Sequence, residues 1–442
     1  MQAKIIGWDT TKKPSRREIP SLRDRTMTSE FNHYPRKENN MSDRRHFLKQ
    51  LTLFGAAAAT PVTFVLGQNE SSQLPAMEVT DGRFAVSYSQ IIRRPSTPPR
   101  KIIIPDAGEY KVLKGDFHIH SIFSDGNTMP KDRVLEAVDN GLDVISITDH
   151  IEYRPHFGKN HISYGGDSVN SVQLLDKNED HNIAYDLAKP EADKQNIILV
   201  RGTEITKRTM PPGDLIAMFL EDVNPIAAVV DDWKKMLAVA SDQGGFVFWV
   251  HPGSIAPTNG GFKPGEAMSF TSDHEDVYTK GHLHGIEVFN GTSYYPVVSQ
   301  WCEKRNLAML ANTDIHGTDW NTYGHQNPFR PMTLIFAKER THDSVKEAFF
   351  AKRTVAFAAG MIIGSREWVE KLFAACVTLT KKPGILELKN NSDIPCVVQA
   401  GGASRELPAL GTVGIYRSDN LKKLTVCNWL VGMNQPLEIA LE

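Results

Sequence analysis

Several short apolar runs in this chain each end in a histidine or a carboxylate. Asp116-Phe117-His118-Ile119-His120-Ser121 is followed by Ser124-Asp125-Gly126. Thr148-Asp149-His150, Gly202-Thr203-Glu204, His251-Pro252-Gly253 and Thr313-Asp314-Ile315-His316-Gly317 come later. Each run reads as a β-strand. Strand ends from distant parts of a chain meet only when the strands lie side by side. Ligand-type residues at the ends of many strands are what a multinuclear metal site on an α/β barrel needs.

The spacing adds detail. Residues two apart in a strand point the same way, so His118 and His120 face one side and can grip one ion. Asp125, in the turn that follows, can reach a neighbouring ion. His150 and His251 each follow a buried run. Glu204 ends another, and its carboxylate can bridge two metals, which a neutral imidazole cannot do. Asp314 and His316 repeat the two-residue spacing. A single histidine of this kind is more often packed or surface-exposed than a ligand. Taken together, so many ionisable groups at strand ends would be costly without metal to satisfy them.

The chain's 442 residues can hold one large domain and a smaller one. A net charge of −2 gives no global basic excess, which argues against broad nucleic-acid binding. Cys302, Cys376, Cys396 and Cys427 form no CxxC, so any metal is held by His and carboxylates.

The amino terminus reads as an address. Arg44-Arg45-His46-Phe47-Leu48-Lys49 precedes an apolar, alanine-rich run from Leu51 to Leu66 that Pro61 breaks, with small residues near Gly67. The twin arginines resemble a Tat signal, with Asp43 where Ser or Thr is more usual. The run is short for a membrane span; the alternative is a single anchoring helix. This reading implies a periplasmic or secreted protein, the Tat export machinery as a partner, and no other membrane contact. An oxidising compartment would let Cys396 and Cys427 pair.

Residues 1–68 are thus read as an extension and signal, and 69–109 as an extended linker containing Arg94-Pro95-Ser96-Thr97-Pro98-Pro99. From 110 to 364 strands and helices alternate. Strands are expected over 111–120, 144–148, 197–205, 215–220, 246–250, 285–289, 307–312 and 333–336. Helices are expected at 130–140, 225–243, 296–306 and 343–352, the first with Val134, Leu135 and Val138 on its apolar face. This order argues an α/β fold with a mostly parallel sheet closed into a barrel. Two polar insertions, 151–194 (with His156, His161 and His181) and 253–284, are expected to shape the mouth of the site. Residues 365–442 read as a helix-like piece followed by a small β-sandwich-like domain.

The ordered set of motifs resembles the PHP (polymerase and histidinol phosphatase) family of metal-dependent phosphoesterases over roughly 112–360. The resemblance implies a distorted (β/α)7, TIM-like barrel carrying two or three divalent ions (Mn, Fe or Zn). It places His118, His120, Glu204 and Asp314 around one ion and Asp125, His150 and His316 around another. Glu204 matches the bridging carboxylate and His251 the histidine of the third motif. Where the family has a further histidine opening a strand, this chain has Asp214, in Pro211-Pro212-Gly213-Asp214-Leu215. Oxygen ligands of that kind favour Mn or Fe over zinc.

The implied nucleophile is a metal-bridging hydroxide rather than a side chain; no GxSxG elbow is present. Arg154 is a candidate phosphate clamp, and His156 a candidate general acid. Lys207, Arg208, Asn290 and Tyr294 are further candidates for contact with a small phosphoester substrate. The leading expectation is an exported phosphodiesterase acting on small organic phosphoesters. A phosphomonoesterase acting on nucleotides or histidinol-phosphate-like compounds is the alternative within catalysis. A non-catalytic metal-binding scaffold is the alternative outside it. Amide or lactone hydrolysis on a related metal barrel obeys the same Lewis-acid logic, but no residue pattern selects it.

Overall fold

The structure is a computed structural model. It describes residues 101–441 apart from 153, 155–161, 165–166, 170–179, 206–212, 254–268, 324–328 and 417–420. The signal-like segment and much of both insertions therefore lie outside the described residues.

Seven strands form the part of the sheet that carries the motifs: β1 (Lys111–Asp116), β2 (Val144–Ile147), β3 (Ile198–Ile205), β4 (Leu215–Met218), β5 (Phe246–Trp249), β6 (Gly285–Asn290) and β7 (Ala308–Asn312). They lie side by side in chain order. Continuous apolar runs such as Val-Ile-Ser-Ile of β2 and Phe-Val-Phe-Trp of β5 are buried at every residue, as expected of strands covered on both faces. Between them run helices α1 (Pro130–Asp139), α2 (Ile183–Gln195), α3 (Trp233–Asp242), α4 (Ser272–Thr279) and α5 (Pro296–Arg305).

The parallel pattern has one interruption. β1, β2 and β3 pair in parallel, as do β5, β6 and β7, but β4 is antiparallel to both β3 and β5. The consequence for the site is direct. The start of β4 lies beside the end of β3 (Ile205 opposite Leu215) and the end of β5 (Leu215 opposite Trp249). A residue placed just before β4 therefore reaches the same rim as residues placed just after its neighbours.

Past their last strand residues, β1 and β7 meet. His120 N donates to Ile315 O (3.1 Å) and Asp314 N donates to His118 O (2.9 Å). A bridge joins Ile119 and Ile315, and Thr148 N donates to Ile119 O (2.8 Å). The first and last motifs of the sequence are thus adjacent.

On its other side β1 pairs with β8 (Met332–Ala337), and the sheet continues through β9 (Thr354–Ala358) and β10 (Met361–Gly364). Helix α6 (His342–Phe350) links β8 to β9, and α7 (Arg366–Cys376) follows β10. The later strands are β11 (Val377–Lys382), β12 (Ile385–Asn390), β13 (Cys396–Ala400), β14 (Ala403–Leu407), β15 (Thr412–Tyr416), β16 (Lys423–Leu430) and β17 (Pro436–Ala440). β16 pairs in parallel with β10 (Ile362 opposite Trp429), so the main sheet runs on through β16, β13 and β14. β11, β12 and β15 form a separate three-stranded sheet. One apolar cluster includes Leu334 and Phe357 of the earlier strands together with Leu386, Val398, Val426 and Trp429 of the later ones.

Two expectations change here. Helix α1 buries Pro130, Arg133, Val134 and Ala137, while Leu135 and Val138 are only half-buried. The stripe is rotated because Arg133 turns inward. Cys396 and Cys427 are also not placed to pair. Antiparallel register between β13 and β16 (Val398 opposite Val426) puts them on opposite faces; Cys396 is buried and Cys427 exposed. Among the described residues no helix is long and apolar enough to cross a membrane.

Candidate metal centre

The rim formed by the ends of β1, β2, β3, β5 and β7 and the start of β4 gathers the sequence motifs. The ligand atoms of His120, Asp125, His150 and His316 lie within 4.8 Å of one another. So do those of His118, Glu204 and His251, and those of His118, His120 and Asp314. Two halves emerge. The deep half is His118, Glu204 and His251, with Asp214 beside them: His251 Nε2 is 3.4 Å from Glu204 Oε1 and 3.8 Å from Asp214 Oδ2. The outer half is Asp125, His150 and His316, with His316 Nε2 at 3.1 Å and His150 Nε2 at 3.5 Å from the Asp125 carboxylate. His120 and Asp314 sit between, their nearest atoms 3.1 Å apart. Glu204 Oε2 touches both halves, at 3.3 Å from His118 Nε2 and 3.2 Å from His150 Nδ1.

Local backbone makes this convergence possible. His251 (φ 31°) and Asp314 (φ 54°) both adopt left-handed conformations, which cost a non-glycine residue on the order of 1 kcal/mol and cluster at functional sites. Gly126 lets the Asp125 turn close onto the first motif, since a Cβ there would lie 2.7 Å from the His120 carbonyl. Gly202 does the same for β3 against β2, where a Cβ would meet Ser146 Oγ at 2.6 Å.

Electrostatics follow from the crowding. Burial pulls His118 down, but Asp314, Glu287 and Glu204 outweigh it and raise its pKa well above the ordinary value. Burial likewise opposes His251, yet Glu204, Asp314 and Asp214 push it up to about 9. Burial raises Glu204, and the His150 and His118 imidazoles overcome it and hold the carboxyl well below its usual range. Asp125 is held down in the same way by His150 and His316.

The decisive test of a metal reading is hydrogen bonding. His118 Nε2, His120 Nε2 and both oxygens of Glu204 are buried and have no hydrogen-bond partner. Buried polar atoms are nearly always bonded, and leaving one unmade costs about 1–3 kcal/mol. Four such atoms aimed at one another fit divalent cations with mixed N and O ligands.

The residues behind the ligands are fully engaged. Glu287 Oε1 takes His118 Nδ1 (2.9 Å) and Asn312 Nδ2 (3.0 Å); its Oε2 takes His251 N (2.8 Å) and Asn290 Nδ2 (2.9 Å). Asp149 accepts from Ser121 N (2.7 Å), Ser121 Oγ (2.6 Å) and Ser124 Oγ (2.6 Å). Asp116 accepts from Thr313 Oγ1 (2.5 Å) and from Arg330. Glu287, bonded to the His118 ring, is placed to orient that imidazole and raise its basicity, while Asp149 and Asp116 fix the backbone and hydroxyls beside the ligands. None of these roles was assigned from sequence. Asp116 and Asp149 lie inside the motifs quoted above, and Glu287 is a lone charge within an apolar strand, which was the available signal.

The candidate substrate contacts are placed unevenly. Arg154 donates Nε to Phe123 O (2.7 Å) and lies 3.1 Å from His181 Nδ1 through Nη1. Burial, then Arg154, lowers His181 to about 4. Asn290 supports Glu287 and approaches Asp314 Oδ2 at 3.4 Å. Tyr294 stacks on Phe289 with ring centres 4.8 Å apart. His156, Lys207 and Arg208 lie outside the described residues.

A mixed α/β sheet whose strand ends converge on buried imidazole nitrogens and carboxylate oxygens without hydrogen-bond partners fits a metal-binding protein. A solved two-domain protein from Bacteroides vulgatus, containing a predicted PHP-like metal-dependent phosphoesterase, is 32% identical to this chain. The match has a TM-score of 0.68 and covers 78% of this chain and 99% of that one. The chain belongs to the PHP-like metal-dependent phosphoesterases. Weaker likenesses, each with a TM-score of 0.34, are a metal-dependent phosphoesterase candidate from Bifidobacterium adolescentis and an amidohydrolase from Chromobacterium violaceum. They share 15% and 12% identity, cover 53% and 48% of this chain and 94% and 90% of theirs, and carry no further weight. No protein-family model and no curated protein sequence matches the chain.

Proposed function

We propose that this chain is an exported phosphodiesterase that cleaves small organic phosphoesters at the centre described above. The observation that carries the metal-dependent chemistry is the group of buried, unpartnered atoms on His118, His120 and Glu204. We read β1 to β7, with the hydrogen bonds joining the ends of β1 and β7, as a distorted (β/α)7 barrel whose rim is the active face.

His118, His120, Glu204 and Asp314 would hold one ion. Asp125, His150 and His316, with His120 and Glu204 at the boundary, would hold a second; His251 and Asp214 supply a further pair beside Glu204. Divalent ions in such a cluster acidify water and take up the negative charge that grows on phosphate oxygens. The protein's own part is to fix the ligands and to place a cationic side chain beside them. Arg154, anchored on the carbonyl two residues before Asp125, supplies a guanidinium that can take phosphate oxygens bidentately. The twin-arginine segment at 44–49 supports export.

The test compares bis(p-nitrophenyl) phosphate with p-nitrophenyl phosphate on Mn(II)-supplied protein. Faster turnover of the diester is expected. Preference for the monoester would replace the diesterase reading, and a metal-loaded chain inert on both would favour the scaffold alternative. Export is tested separately: fractionated cells carrying Arg44→Lys and Arg45→Lys should retain the protein in the cytoplasm.

A further inference from the structure

Arg133 is an arginine on the buried stripe of α1, 1% exposed. Its Nε donates to His120 O (2.8 Å). Nη1 donates to Gly317 O (2.7 Å) and Glu136 Oε2 (2.7 Å), and Nη2 to Ile315 O (3.2 Å) and His316 O (2.9 Å). A guanidinium has five N–H groups in a fixed fork, and these bonds use all of them. Four end on backbone carbonyls of the two segments that carry His120 and His316. The network extends behind them: Glu136 Oε1 accepts from Asp319 N (2.9 Å), Asp319 Oδ1 accepts from Arg330 (3.1 Å), and Arg330 pairs with Asp116.

We infer that Arg133 is a positioning residue that holds the outer half of the metal centre together by clamping the backbones of the first and last motifs. The inference rests on the metal reading above and goes beyond it by assigning separate supports to the two halves. His118 and His251 are braced by Glu287 on β6 and touch no Arg133 atom in the described hydrogen bonds. His120 and His316, whose rings stack at 4.2 Å, depend for their separation on the carbonyls that the guanidinium spans. Asn127 N, donating to His316 O (2.8 Å), ties the Asp125 turn to the same point. Lysine, with one compact ammonium, cannot bridge these segments at once.

The test is Mn(II) titration of metal-depleted full-length protein, read by calorimetry and by the Mn(II) electron paramagnetic resonance spectrum. Wild type should show more than one class of bound ion. Arg133→Lys should weaken one class by about tenfold or more and the other, which shares His120 with it, by a clearly smaller factor, as loss of a ligand-supporting group does elsewhere. Arg340→Lys, a surface control whose guanidinium caps Asn196 O, should change neither class. Should Arg133→Lys fail to fold, Glu136→Gln provides the same readout with a smaller shift in the same class. Unchanged binding, or equal weakening of every class alongside a lower melting temperature, overturns the inference. A wild-type chain that takes up no Mn(II) overturns the metal reading itself, and the clamp with it.

Discussion

The deep and outer halves of the centre use similar ligands in different surroundings. His118 and Glu204 are fully buried, Asp214 nearly so and His251 half-buried, with Glu287 bonded to the backbone or ring of both deep histidines. The outer half is more open at two of its three ligands: the side chains of Asp125 and His316 are 20% and 38% exposed, while His150 is 10% exposed. Its support is spread over Asp149, the serines of the first motif, and backbone carbonyls. The contrast suggests a division of labour. Burial raises the penalty for leaving a polar atom unpaired, so the deep half should keep its ion most tightly. Openness lets a substrate approach the outer half.

The largest expected effect comes from removing what the halves share. Glu204→Ala should take bound metal below one ion per chain and lower phosphoester turnover by at least about 10²–10³-fold, in the range seen when a main electrostatic stabiliser is lost. Elemental analysis together with steady-state rates checks it. His342→Ala, on an exposed helix start paired with Asp343, should change neither quantity.

Next are changes that act on one half at a time. Glu287→Gln should weaken the deep ion by about 10–100-fold, and Asp149→Asn the outer ion by a similar factor. Mn(II) titration of both variants would show two different classes affected. If both variants weakened the same class, the halves would not be separable.

The effect smallest in its consequence for metal and activity concerns histidines inside and outside the centre. His284 packs on Phe246 and accepts a bond from Val247 N; burial, then Lys352, lowers it to about 4, whereas carboxylates push His251 up to about 9. A folded-state pKa below the unfolded value near 6.5 means the unfolded chain takes up the proton first as pH falls. His284 therefore contributes its full stability above about pH 6.5 and loses it down to about pH 4, up to about 3 kcal/mol. His284→Asn, compared with wild type by urea unfolding at pH 7 and pH 5, should show a shallower loss.

Much of the fold was legible in the sequence. The runs from β1 to β8 were located within a few residues because each is short and apolar, and most are bounded at one end by a candidate ligand. The reversed direction of β4 was not legible, since Leu-Ile-Ala-Met is apolar throughout and carries no direction. That reversal explains why Asp214 precedes its strand while the other ligands follow theirs. The motif residues were identified from their order, and the structure gathers nine of them at one rim. The bracing groups were less visible. Arg133 falls on the helical spacing Pro130, Arg133, Val134, Ala137, a pattern that discloses a buried stripe only if arginine is allowed to belong to it. Glu287, Asn312 and Asp116 act through partners far away in sequence, and local spacing says nothing of those.

The hydrogen bonds between the end of β1 and the end of β7 set the order in which this molecule can be finished. A nascent chain still on the ribosome has made His118 and His120 long before Asp314 and His316 emerge, and Arg330 comes later still. Contacts of such sequence separation form late in folding. Ion loading at this centre would therefore belong to the completed polypeptide, because no early part of the chain carries the full set of ligands.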